Sequence, residues 1–141
     1  MDQIIQFSIN HWVLWLALII VLLLIIINEA ISQKQRAKEL TPAALVDEIN
    51  QHDALIVDLR DLASYQAGHI IHAIHATEND FAEQRMDNHK NKRLILVCNK
   101  GLQSSALATK LRKQGFQQTM LLAGGINAWT AANMPLVKTG K

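Results

Sequence analysis

Cys98 is the one cysteine among 141 residues, and its neighbours suggest a nucleophile. It closes the apolar, β-branched run Leu94-Ile95-Leu96-Val97 and is followed by Asn99-Lys100-Gly101-Leu102-Gln103-Ser104-Ser105, after which Ala106 to Gln114 reads as a helix. A thiol at the carboxyl end of a buried strand, facing a helix amino terminus, meets unpaired amides and the positive end of the helix dipole; both favour the thiolate. Gly101 supplies the backbone freedom that a tight wrap around the sulfur needs, so that successive N–H groups can form an anion cradle. Lys100 adds a positive charge, and Ser104 and Ser105 add hydroxyl donors. Local context alone leaves a second reading equally open: a buried, inert cysteine that fills a core.

The elements that must position this thiol can be read on either side of it. Thr41-Pro42 has the form of a helix start, with Thr as N-cap and Pro at the first helical position. Leu45, Val46 and Ile49 give the stretch to Asn50 an apolar side. Ala54 to Leu59 is expected as a buried strand, Asp61 to Ala67 as a short helix stopped by Gly68, His69 to Ala76 as a second strand, and Asn79 to Met86 as a polar, partly helical stretch. Arg93 to Val97 is the strand before Cys98. Ser104 to Gln114 is the following helix, with Leu107 and Leu111 on one face and Gly115 as its stop. Gln118 to Leu122 reads as a last strand. Gly124-Gly125 leads into a final helix, Ile126 to Ala132, ended by Pro135. Strands alternating with helices predict an α/β domain with a mostly parallel sheet flanked by helices. In such sheets, sites gather at the carboxyl ends of strands, where both Asp58 and Cys98 fall.

Half of the residues are hydrophobic, but unevenly spread: Trp12 to Ile27 is unbroken by any polar side chain. Sixteen helical residues cover about 24 Å, and Phe7, Ile9 and Ile31 extend the span toward the roughly 30 Å hydrocarbon core of a bilayer. The expectation is one transmembrane helix over 7–31. A short extracytoplasmic segment (1–11) precedes it, and a basic linker (32–40), a domain (41–137) and a tail (138–141) follow. A cleaved signal peptide fits poorly, because the first basic residue, Lys34, follows the apolar run and no small-residue cleavage pattern is present. Residues 1–11 carry Asp2 and no Lys or Arg, whereas Lys34, Arg36 and Lys38 flank the other end. The positive-inside rule therefore places the carboxyl-terminal domain in the cytoplasm, behind the inner membrane, with Trp12 and Trp15 at the opposite interface. A lone cysteine would stay reduced there. A net charge of +2, with no basic stripe and interleaved aromatics, argues against nucleic acid as partner.

Four motifs, in order, resemble those of the rhodanese-like domain, a sulfurtransferase family. They are Val57-Asp58-Leu59-Arg60 at a strand end; Tyr65-Gln66-Ala67-Gly68-His69-Ile70 with Ala73-Ile74; Val97-Cys98-Asn99-Lys100-Gly101; and Leu122-Ala123-Gly124-Gly125-Ile126-Asn127-Ala128-Trp129. The resemblance spans 41–137. It implies that Cys98 attacks the outer sulfur of a donor such as thiosulfate or a protein persulfide, carries it as a persulfide, and passes it to a thiol or other small nucleophile. The loop Cys98 to Gln103 has the family's six-residue length, which favours sulfur over phosphate and disfavours a phosphatase or arsenate reductase. Many active members have Arg at the sixth loop position, where this chain has Gln103, which lacks the charge and bidentate grip of Arg. The active loop is thus Asn99, Lys100, Gly101, Leu102, Gln103 and Ser104, with Asp58 and Arg60 as a supporting charged pair.

His69 is expected as a packed, hydrogen-bonded turn residue rather than a base. With His72 and His75 it makes no expected metal set, since the spacing divides the three between faces and no Cys or carboxylate completes them. No cofactor is expected. Gly124-Gly125 matches no nucleotide-binding pattern and is expected to form a tight turn. A second class of function stays open beside the enzyme: a scaffold of the same fold that binds membrane-protein partners at the lipid bilayer, with weak turnover.

Overall fold

The computed structural model describes residues 6, 7 and 9–139; residues 1–5 and 8 of the expected amino-terminal segment and 140–141 of the tail lie outside it. The chain forms two compact units that divide after Gln35. The first is the helix α1 (Trp12–Gln35), none of whose side chains is buried. Its 24 residues extend about 36 Å, and its most apolar 18-residue stretch has a mean hydropathy of 2.8. It is long and apolar enough to cross a membrane.

The second unit holds one five-stranded, all-parallel sheet. In chain order its elements are β1 (Lys38–Leu40), α2 (Pro42–His52), β2 (Leu55–Asp58), α3 (Leu62–Ala67), β3 (Ile74–His75), α4 (Glu78–Ala82), β4 (Leu94–Val97), α5 (Leu102–Lys113), β5 (Thr119–Leu122) and α6 (Gly125–Ala131). The strands lie in the order β1-β5-β4-β2-β3, which puts β4 at the centre. All four residues of β4 are buried, as expected of a parallel strand covered on both faces. Their side chains alternate: Leu94 and Leu96 join one core with Leu107, Ala108 and Leu111 of α5, whereas Ile95 and Val97 join a second with Leu45 of α2 and with Ile126 and Trp129 of α6. Continuing the alternation, Cys98 falls in the core beneath α5.

The expected capping of α2 is present: Thr41 Oγ1 accepts a hydrogen bond from the Ala44 amide at 3.2 Å, with Pro42 in the first turn. Three sequence expectations change. Segment 32–40, read as a linker that could continue the helix, does continue it to Gln35 but then forms β1 from Lys38, because Lys38–Leu40 pairs in parallel with Met120–Leu122. The strand expected over His69–Ala76 shrinks to Ile74–His75: His69 instead pairs with Val137 in an antiparallel bridge, and His72 takes a positive φ of 64° that breaks an extended run. Helix α5 starts at Leu102 rather than Ser104, since Gly101, at φ 89°, turns the chain straight into the helix.

Candidate active site

Strand β4 ends at Val97, so the backbone between Cys98 and Gly101 makes the whole turn, and Leu102, Gln103 and Ser104 form the first turn of α5. That turn has amides with no intrahelical partner. The geometry brings them to the sulfur. The Gly101 amide donates to Cys98 Sγ at 3.1 Å. Ser104 is fully buried, and its Oγ has no hydrogen-bond partner of good geometry. Burial pushes the Cys98 thiol up. The Ser104 hydroxyl and amide, then the Gly101 and Lys100 amides, outweigh it and hold the thiol below its ordinary value of 9.0. The loop therefore surrounds the Cys98 sulfur with groups that favour its anionic form.

The expected loop residues gather around this centre. Cys98, Asn99, Lys100, Leu102 and Gln103 line a shallow, open depression of about 270 Å³. Only 3% of Cys98 is exposed, at its floor, whereas Asn99, Lys100, Leu102 and Gln103 are exposed around it and Gly101 is buried.

Asp58 and Arg60 sit one strand away, at the end of β2, in register with Val97. Arg60 grips the Asp58 carboxylate with Nε at 3.0 Å and Nη2 at 2.7 Å, and the Arg60 amide also donates to Asp58 Oδ1 at 3.0 Å. Nη2 donates again, to the Gly68 carbonyl at 2.6 Å. Both side chains are buried. The guanidinium is thus occupied by the pair and by the α3–β3 turn, and its contacts are structural. Leu59 links the two strand ends, donating its amide to the Val97 carbonyl at 2.8 Å. His69 is a turn residue: its ring Nδ1 bonds the Tyr65 carbonyl at 2.9 Å and stacks on the Tyr65 ring, while its backbone pairs with Val137.

Sequence reasoning missed the contribution of α6. Its first amides reach into the back of the loop: Ile126 N–H donates to the Cys98 carbonyl at 2.8 Å, and Asn127 N–H donates to the Asn99 carbonyl at 3.1 Å. Gly124-Gly125 is a tight turn, as expected, with φ values of 71° and 60°, but it is also a contact surface against the active loop. The adjacent glycines were the available signal; what they approach was not readable.

Comparison with known proteins agrees with this geometry. The family model of the rhodanese-like domain matches residues 41–132. The uncharacterized protein YibN of Escherichia coli K12 is 31% identical over 98% of this chain and 99% of its own length. The thiosulfate sulfurtransferase GlpE of Pseudoalteromonas translucida is 34% identical over 67% of this chain and 90% of its own. Among solved structures, the rhodanese-like domain of the Alr3790 protein from Anabaena superposes with a TM-score of 0.63 at 25% identity, over 72% of this chain and 79% of that one. A thiosulfate sulfurtransferase from Pseudomonas aeruginosa shares the fold with a TM-score of 0.65 at 23% identity, over 73% of this chain; the match spans a fifth of that longer protein (20%). The chain belongs to the rhodanese-like domain family.

Proposed function

We propose that this protein is a membrane-anchored sulfurtransferase that carries sulfane sulfur on Cys98. The observation that carries the reading is the Gly101 amide donating to the Cys98 sulfur at the start of α5, where the neighbouring Ser104 and Lys100 groups also lower the thiol pKa. In the first half-reaction, the thiolate attacks the outer sulfur of thiosulfate. A new S–S bond forms, the old one breaks, and sulfite leaves with its electron pair. The donors that stabilise the thiolate then face the anionic persulfide. In the second half-reaction an external thiolate, or cyanide, takes the outer sulfur and returns Cys98 to thiolate. With no second cysteine in the chain, discharge ends on an external nucleophile.

Two features bear on the donor. Gln103 offers no charge where the family commonly has Arg, which weakens the grip on an inorganic oxyanion. Leu102 on the rim is 77% exposed, an apolar contact better suited to a protein-borne persulfide. The length and composition of α1 support anchorage in the inner membrane. The charge asymmetry across it, with Lys34, Arg36 and Lys38 on the carboxyl side, supports a cytoplasmic domain.

Intact mass spectrometry of the full chain in detergent, freed of reductant and incubated with thiosulfate, tests the reading. The expected result is a gain of one sulfur atom, reversed by cyanide and absent from Cys98→Ser. No gain from thiosulfate or from a protein persulfide would overturn it and leave the fold as a binding module.

A further inference from the structure

The loop around the sulfur is held from behind at two successive carbonyls, those of Cys98 and Asn99. In a trans peptide the carbonyl and the N–H point in opposite directions. The Asn99 carbonyl and the Lys100 N–H share one such unit, and Asn127 N–H binds that carbonyl at 3.1 Å. Pinning the carbonyl outward aims the Lys100 N–H inward, toward Cys98, and a hydrogen bond at one end of an amide strengthens the donor at the other. The preceding unit, Cys98–Asn99, is fixed in the same way by Ile126 N–H at 2.8 Å.

This approach is possible only because residue 125 has no side chain. A Cβ on Gly125 would stand 2.1 Å from the Cys98 carbonyl oxygen and 2.7 Å from the carbonyl carbon and oxygen of Asn99. All three are backbone atoms of the loop, with no flexible side chain that could give way. Its φ of 60° adds a second demand for glycine. Gly115 is a useful contrast: it too has a positive φ, of 105°, but a Cβ there would meet only Lys90 Cδ at 3.9 Å, so a substitution strains the backbone without touching the loop.

We propose that Gly125, together with the backbone amides of Ile126 and Asn127, is a positioning element for the Cys98 nucleophile, orienting the loop's peptide units so that their N–H groups face the sulfur. The element acts through the loop and touches no substrate. It rests on Cys98 being a nucleophile, but it is testable without any sulfur donor, so it can fail or stand independently of sulfur transfer.

The test is the pH profile of Cys98 alkylation by iodoacetamide, followed by mass on the full chain in detergent. In Gly125→Ala the midpoint rises toward that of an ordinary thiol, and the neutral-pH rate falls roughly tenfold for each pH unit of that rise. The high-pH plateau stays close to wild type, because both thiols are then fully ionised. Gly115→Ala keeps the wild-type midpoint. If Gly125→Ala fails to fold, Asn127→Pro decides: it removes the one N–H that binds the Asn99 carbonyl, at a first-turn position that tolerates proline, and its midpoint also rises. An unchanged midpoint in a folded Gly125→Ala or Asn127→Pro, or an equal rise in Gly115→Ala, overturns the proposal.

Discussion

The ends of β2 and β4 lie side by side in register, and each carries a residue of apparent chemical promise, yet they are built oppositely. At the end of β2, Asp58 and Arg60 satisfy one another: two guanidinium nitrogens and one amide reach the carboxylate, and the remaining reach of Arg60 goes to the Gly68 carbonyl. At the end of β4, Cys98 is a single acceptor faced by donors from the loop and the first turn of α5, with a buried serine hydroxyl left without a good partner. The charged pair is saturated and therefore structural. The nearly neutral-looking site is undersaturated in acceptors, and so is ready to stabilise a sulfur anion or one sulfur more. Charge in a motif is thus a poorer guide to chemistry than an excess of oriented donors.

Breaking each end should give different losses. Cys98→Ser should remove persulfide formation to background in the mass assay while leaving the melting temperature close to wild type. Residual transfer would end the assignment of the β4 end as the reactive one. Asp58→Ala should do the reverse. It leaves Arg60 buried and unpaired, which costs about 3–5 kcal/mol of stability, visible as a lower chemical-denaturation midpoint. The protein that remains folded should still accept sulfur; loss of transfer at unchanged stability would erase the distinction between the two strand ends.

Smaller changes sharpen the β4 end. Gln103→Arg should raise kcat/KM for thiosulfate by about ten- to a hundredfold, since a charged hydrogen bond contributes about 1.5–3 kcal/mol, and should do so through KM; an unchanged kcat/KM would show that grip on the oxyanion is not limiting. Ser104→Ala should slow alkylation of Cys98 by a few-fold at neutral pH, with the two proteins converging at high pH, because Ser104 is foremost among the groups that hold the thiol down. The smallest expected effect is on stability. The folded thiol titrates below the unfolded one, so between the two values the unfolded chain binds more protons and stability rises with pH. That gain is complete above the unfolded value and is lost as pH falls through the folded one. Cys98→Ser should lack this rise in the urea midpoint of the domain, and a rise of equal size in the variant would place its source elsewhere.

Much of the scaffold was legible in the chain. Thr41-Pro42 announced α2, the apolar run at Leu94–Val97 announced a strand buried on both faces, and Trp12–Ile27 announced α1. Each signal is local: a cap, a periodicity, a length. Lys38–Leu40 had none, since a short polar segment becomes a strand only by pairing with β5. The shortening of the His69–Ala76 strand was hidden for a similar reason, because a distant partner, Val137, takes the backbone of His69.

By itself the sequence determined what kind of fold this is and which thiol to propose as its nucleophile, because a lone thiol after a β-branched run and before a helix is defined by neighbours in the chain. Only the tertiary structure decided how that thiol is held. It closed Arg60 onto Asp58 and started α5 two residues early, at Leu102. It also brought the amides of α6, some 28 residues on in the chain, against the Cys98 and Asn99 carbonyls. Those contacts depend on the helix that packs on the far face of the sheet, and hydrogen-bond direction between distant peptides leaves no mark in the order of residues beyond the glycine that makes room for it.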